Sequence, residues 1–195
     1  VREMVDWRLF EPLFNWARKK SLWIVSFCTG CGGIEMPPLM TSRYDIERFG
    51  MIPDPSPRQY DLFLITGYVT PKTLKRIIIT YELSPDPKYV LAHGSCPLNG
   101  GIYWDSYNAI KHLDKYIPVD VFIAGCMPRP EAVLDGIYKL MEMIENGEAD
   151  GWKRYKENYE WYRKNQDELL GEGWREKEAK KWIPWLVDKK KEVKQ

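Results

Sequence analysis

An α/β domain is predicted, an open parallel sheet with helices on both faces, with an amphipathic helix before it and a helical tail after it. Two patterns lead there. Between residues 21 and 147 short apolar runs alternate with stretches of helical periodicity, the trace that βαβ units leave in a sequence. The runs LWIVSF, DLFLIT, YVLAH and VDVFIA are almost continuously apolar, as strands covered on both faces require. A third observation bounds the whole. Of 195 residues 44% are hydrophobic and 29% charged, enough to close one core with a segment left over.

Residues 1–20 read as a lead-in helix. Trp7, Phe10, Phe14 and Ala17 recur at helical spacing with Leu9, Leu13 and Trp16 beside them, and Arg18, Lys19 and Lys20 close the segment. Such a helix packs on its own domain, or it lies on a membrane surface or membrane subunit with its basic end toward headgroups. The strands follow at Leu22–Phe27, Asp61–Thr66, Tyr89–His93 and Val119–Ala124, with a weaker strand or loop near Arg48–Ile52. In Thr73–Leu83 the residues Leu74, Ile77, Ile78 and Tyr81 make one helical face. Val133, Ile137, Leu140, Met141 and Ile144 do the same in Glu131–Asn146, where Pro130 and Glu131 mark the start.

Residues 148–195 change character. Five of the nine Trp fall here (Trp152, Trp161, Trp174, Trp182 and Trp185), among 13 basic and 9 acidic residues from Gly151 onward. So many aromatics among so many charges read as helices that wrap a partner rather than as a second core, the other reading being a solvated helical tail folded back on the domain. The organisation is therefore a lead-in helix at 1–20, an α/β domain at 21–147 and a Trp-rich charged tail at 148–195.

Lys plus Arg is 29 against 28 for Asp plus Glu, so bulk attraction to nucleic acid is excluded. No apolar run approaches the length of a membrane span. Residues 1–27 lack the pattern of a secretory signal, and a cytoplasmic chain is expected. Thiols stay reduced in that compartment, so the cysteines are expected to be metal ligands or catalytic groups rather than disulfides.

Those cysteines are Cys28 and Cys31 in C-T-G-C, Cys96 in H-G-S-C-P and Cys126 in A-G-C-M-P-R-P. Three predicted strands run directly into them, and ligands of open parallel sheets gather beyond the carboxyl ends of strands. Four thiolates suit zinc or an iron–sulfur cluster. Structural zinc sites usually pair two short knuckles. Here one knuckle is joined by two single ligands thirty residues apart, a spread that a [4Fe–4S] cubane accepts more naturally. Gly30, Gly32, Gly33, Gly94 and Gly125 let backbone approach a bulky group, and Pro97 and Pro128 stiffen the loops. A structural zinc site remains the alternative from another class. A thioredoxin-type pair explains neither Cys96 nor Cys126. His93 ends a strand before Gly-Ser-Cys, as a core histidine or a residue behind the ligands. Neither a dinucleotide fingerprint, a phosphate-binding loop nor a nucleophile elbow is present.

From about Leu22 to Glu145 the chain resembles the small electron-transfer subunit shared by respiratory complex I and the membrane-bound [NiFe] hydrogenases. The residues that carry the resemblance are G-G-I-E-M at 32–36, T-S-R-Y-D-I-E-R-F-G at 41–50, S-P-R-Q at 56–59, T-G-Y-V-T at 66–70, G-S-C at 94–96, N-G-G at 99–101 and I-P-V-D-V-F-I-A-G-C-M-P-R-P-E-A at 117–132. The resemblance implies a flavodoxin-like fold and one [4Fe–4S] cluster on Cys28, Cys31, Cys96 and Cys126. It implies three partners: a large catalytic subunit similar to the [NiFe] hydrogenase large subunit, a ferredoxin-like iron–sulfur subunit and a membrane-embedded subunit. The chain would then sit at the cytoplasmic face of the membrane as an oxidoreductase subunit without turnover of its own. Cys28-Thr-Gly-Cys31 is similar to the hydrogenase pattern, whereas Ser56-Pro-Arg-Gln59 and Gly-Ser-Cys96 look like complex I. That mixture is most similar to the archaeal membrane-bound sulfane-sulfur reductases, with proton-reducing hydrogenase or quinone-reducing complex I as the other branches. Glu35 stands four residues after Cys31, one more than the hydrogenase proton-relay glutamate. Glu35 and Met36 are expected toward the partner's active centre, Arg43, Asp45 and Arg48 at the interface or in local ion pairs, and Gly67 and His93 behind the ligands.

Overall fold

In a computed structural model the described residues are 10–53 and 56–182. Five strands form one all-parallel sheet: β1 Leu22–Cys28, β2 Met51–Pro53, β3 Leu62–Thr66, β4 Tyr89–His93 and β5 Val121–Ile123. Their spatial order is β2-β1-β3-β4-β5. This is the flavodoxin-like order, whose connections reverse direction between β1 and β3 and leave a crevice at the carboxyl ends of those strands. The α/β expectation holds. The weak strand near Arg48–Ile52 is the short edge strand β2, entered through a 3-10 turn at Ile46–Phe49. The last strand is shorter than expected, because Val119 and Asp120 lead into it as loop.

Strand parity sorts the core into two layers. Phe63, Ile65, Val90 and Ala92 face one side, and Leu62, Leu64, Tyr89 and Leu91 face the other. β3 and β4 are buried throughout, as their sequences require. β1 departs from that expectation: Trp23 and Ser26 are exposed, Trp23 even though it pairs with Ile52 of the edge strand. On the first side lies α3, Pro71–Leu83, opened by a reciprocal Thr70–Thr73 capping box with Pro71 in the first turn. On the second side lie α2, Gly32–Met40, and α5, Pro130–Asn146, each contributing to the second layer.

The lead-in helix is α1, Glu11–Lys19; Trp7 and Leu9 lie outside the described residues. It packs on α5, with Asn15 buried and Lys19 paired to Glu145. Its apolar side faces outward, leaving Phe10, Leu13, Phe14 and Trp16 exposed. Packing on its own domain and presenting an apolar face are thus both true of it.

Beyond the short helix α4, Ser95–Asn99, the tail supplies α6 Gly151–Glu157, α7 Tyr159–Leu170 and α8 Trp174–Trp182. Of the two readings of the tail, its described part follows the second and folds back on the domain. Tyr155, Tyr162 and Trp174 complete the first core layer, next to Tyr81 and Phe63. Polar links hold it. Gln166, fully buried, donates to the Tyr116 carbonyl at 2.7 Å and accepts from Arg175 at 2.7 Å, while Tyr155 donates to Glu82 at 2.9 Å. Trp161 stays exposed, and Trp185 lies outside the described residues.

Candidate metal centre

Four loops leave the carboxyl end of the sheet, and hydrogen bonds fix them to one another in pairs. The C-T-G-C turn after β1 is tied to the loop after β3. Thr29 N–H donates to the Thr66 carbonyl at 3.1 Å and Thr29 Oγ1 to the Tyr68 carbonyl at 2.5 Å. Gly67 makes that approach possible: its φ is +88° and a Cβ there would stand 2.5 Å from Gly30 N. The loop after β4 is tied to the loop after β5. Gly94 N–H donates to Ile123 O and Ser95 N–H to Gly125 O, both at 2.8 Å, and Gly125 N–H returns to Ser95 Oγ at 3.2 Å.

Between the two tied pairs opens a small cavity of about 70 Å³. Cys31, Cys96 and Cys126 line it. Cys96 was expected in a loop and lies in α4; Cys31 caps α2. Burial pushes the Cys96 thiol pKa up, and the neighbouring Cys126 and Cys31 push it the same way. Cys28 is not among the residues lining the cavity. It ends β1 on the rim with its thiol against the Gly30 carbonyl at 3.2 Å. Two glycines leave room beside the sulfurs. A Cβ on Gly101 would come within 2.9 Å of Cys96 Sγ, and one on Gly33 within 2.7 Å of Cys28 Sγ.

The fit to a bulky sulfur-rich group can be judged from this geometry. In tetrahedral zinc sites Zn–S bonds of about 2.3 Å hold the sulfurs roughly 4 Å apart. Among the described residues no three His, Cys, Asp or Glu are drawn together closely enough to grip one ion. Three thiols therefore ring a space instead of converging on a point. The floor of that space is polar and unsatisfied: Thr66 Oγ1 and both ring nitrogens of His93 are buried without a hydrogen-bond partner among the described residues. His93 is 1% exposed, and burial holds its pKa below the ordinary value.

The other expected residues fall elsewhere. Met36 is buried in the second core layer beside Leu39, so it is a packing residue here; its apolar side chain sits on the inward face of α2. Glu35 is half-buried on the same helix and does not line the cavity. Arg43, Asp45 and Arg48 sit in the loop after α2, and among the described residues no ion pair joins them. Arg43 instead lies over the Tyr44 ring at 5.3 Å and Arg48 over the Phe49 ring at 4.6 Å. Sequence reasoning missed Thr66, Ile102 and Tyr103, which line the cavity. From the Ile102–Tyr103 turn the chain runs on through exposed Trp104 and Tyr107, an apolar margin beside the mouth. The run I-Y-W-x-x-Y, with no helical or strand period, was the available signal for an exposed apolar edge.

Comparison with known proteins decides the kinship. The family described as NADH ubiquinone oxidoreductase, 20 Kd subunit, matches residues 28–140, more than half of the chain and a span that takes in all four cysteines. The chain belongs to this family. An NADH-quinone oxidoreductase subunit of Pelodictyon phaeoclathratiforme is 49% identical over 135 residues, which are 69% of this chain and 71% of that protein. An NAD(P)H-quinone oxidoreductase subunit of Nostoc punctiforme is 44% identical over 153 residues, which are 78% of this chain. The match spans 62% of the Nostoc protein, less than two thirds of its length. A solved structure of the membrane-bound sulfane sulfur reductase, an archaeal respiratory membrane complex, contains a chain 92% identical to this one. Its TM-score is 0.84, over 90% of this chain and 99% of that chain. The expected superfamily and the expected similarity to the sulfane-sulfur branch both stand. Among the described residues no helix is long and apolar enough to cross a membrane.

Proposed function

We propose that this chain holds one [4Fe–4S] cluster on Cys28, Cys31, Cys96 and Cys126 and relays single electrons to a large catalytic subunit of a membrane-bound, ferredoxin-linked respiratory complex. The observation that carries the reading is the ring of Cys31, Cys96 and Cys126, drawn from three separate loops to one cavity beyond the carboxyl ends of the strands. Such a cluster supplies one-electron transfer at a potential set by its surroundings. The residues of this chain do the rest. The thiolates anchor and the paired loops hold the anchors at fixed spacing. Ile102, Tyr103, Trp104 and Tyr107 form the margin against which the large subunit docks, so that the receiving centre comes within electron-transfer reach.

Sulfane-sulfur reduction is the favoured terminal chemistry, supported by the 92% identity to a chain of that reductase. Electrons would arrive through a ferredoxin-like iron–sulfur subunit. The exposed apolar side of α1, with Arg18 and Lys19 at its end, supports contact with a membrane-embedded subunit at the cytoplasmic face of the membrane.

Anaerobic purification of the complex, with iron and sulfide analysis, should give about four of each for this chain. One zinc and no sulfide would replace the electron relay with a structural zinc module. Cys96→Ser and Cys28→Ser should each abolish the reduced-cluster EPR signal. Since Cys28 stands on the rim, its variant is the sharper test: an unchanged signal would strike it from the ligand set.

A further inference from the structure

The strongest unexplained feature of the molecule is the unsatisfied polar floor of the cysteine cavity. Thr66 and His93 are register partners at the carboxyl ends of β3 and β4. Both belong to the parity that faces α2, where Leu62 and Leu64 precede Thr66 and Tyr89 and Leu91 precede His93. Both are about 1% exposed. Among the described residues Thr66 Oγ1, His93 Nδ1 and His93 Nε2 have no hydrogen-bond partner. Three buried polar atoms in one place are thus left unsatisfied, which is costly in a protein interior. Native interiors rarely tolerate such a group without a bound species to satisfy it.

Three sides of this pair are closed. The sheet lies on one side and the second core layer beneath. Above is Gly32 at the first turn of α2, where a Cβ would stand 1.4 Å from Thr66 Oγ1 and 3.0 Å from His93 Nδ1. The fourth side is the cavity that Cys31, Cys96 and Cys126 ring, and Thr66 and His93 both line it. A neutral imidazole has one N–H to give and a hydroxyl has one O–H. Thiolate and sulfide are acceptors. Among the described residues the geometry offers the donors no acceptor and one open direction.

We propose that Thr66 and His93 are positioning residues that donate hydrogen bonds from below to the sulfur of the group the cysteines hold, raising its reduction potential. The inference rests on the cluster reading and deepens it by naming which side chains tune the centre. Donation to sulfur stabilises the more negative, reduced state, so losing a donor favours the oxidised state. A hydrogen bond to a charged acceptor corresponds to about a tenfold change in that equilibrium, or about 59 mV for one electron.

The test is an EPR-monitored redox titration of the intact complex, purified anaerobically, with iron and sulfide counted in each sample. His93→Leu and Thr66→Val should each keep the iron and lower the ratio of reduced to oxidised cluster at fixed poise by about tenfold. His93→Gln and Thr66→Ser, which keep a donor, should recover most of it. Thr66→Val is nearly isosteric, so it decides the matter if His93→Leu fails to fold. An iron-loaded Thr66→Val with the wild-type potential overturns the proposal alone. Wild-type complex without iron and sulfide overturns it together with the cluster reading.

Discussion

Replacing Trp174 by Ala tests whether the tail belongs to the domain or is held for a partner. Trp174 is 1% exposed and joins the first core layer with Tyr81, Tyr155 and Tyr162. A buried Trp removes about 200 Å² from water, which at about 25 cal/mol per Å² favours the folded state by about 5 kcal/mol. Its indole Nε1 is buried without an acceptor among the described residues, a loss of about 1–3 kcal/mol that the wild type already carries. The net cost of Trp174→Ala is therefore about 3 kcal/mol. With a urea slope of about 2 kcal/mol per M, the midpoint should fall by about 1.5 M. Trp174→Phe keeps most of the apolar area and removes the orphaned N–H, so its midpoint should lie within about 0.5 M of wild type. Circular dichroism during urea unfolding reads both. An Ala variant with an unmoved midpoint and weakened assembly would show that the indole is held for another subunit, and the packing argument would fail. By the same reasoning, truncation at Gly151 uncovers the first core layer and should destabilise the domain itself.

Three further outcomes follow. Asp120 is buried, accepts from Val90 N–H at 2.8 Å and Gly151 N–H at 3.1 Å, and burial pushes its pKa up to about 6 from 3.8. The folded state binds that proton more readily than the unfolded chain, so stability should fall by about 3 kcal/mol as pH rises from about 4 to 6. Asp120→Asn should abolish that step in urea midpoints measured across the window; a step that survives acquits Asp120. Gly32→Ala drives a methyl into Thr66 Oγ1 and to 2.7 Å from Thr66 Cβ, so α2 must lift, at about 1–3 kcal/mol. Its melting temperature should drop, and Thr66→Ala added to it should restore part of the loss; a melting temperature equal to wild type would mean that α2 is not seated as described. Lys88 donates to the Tyr81 and Ser84 carbonyls at 2.9 and 3.1 Å at the end of α3. Lys88→Met should lower stability by about 1–3 kcal/mol by leaving both carbonyls bare, read in the same unfolding assay.

Much of the fold was legible because it is written in local periodicity. Continuous apolar runs marked β3 and β4 to within a residue, and Pro130 with Glu131 marked the start of α5. β1 misled, since an apolar run reports what a strand could bury and not whether a neighbour arrives to cover it. The tail stayed open between two readings for a related reason. Its aromatics are spaced among charges, and nothing local says whether Trp174 meets its own domain or another chain.

The sequence by itself determined the chemistry available to the molecule: four cysteines beside glycines and prolines, placed after strands, in a chain with no other cofactor fingerprint. Residue type fixes what an atom can ligate or donate, and that survives without coordinates. Only the tertiary structure decided which of those atoms meet. It put three thiols around one cavity and Cys28 on its rim, sank Met36 into the core, and placed His93 and Thr66 beneath the cavity without partners. Those outcomes depend on the order β2-β1-β3-β4-β5, in which strands far apart in sequence become neighbours and their loops must share one edge.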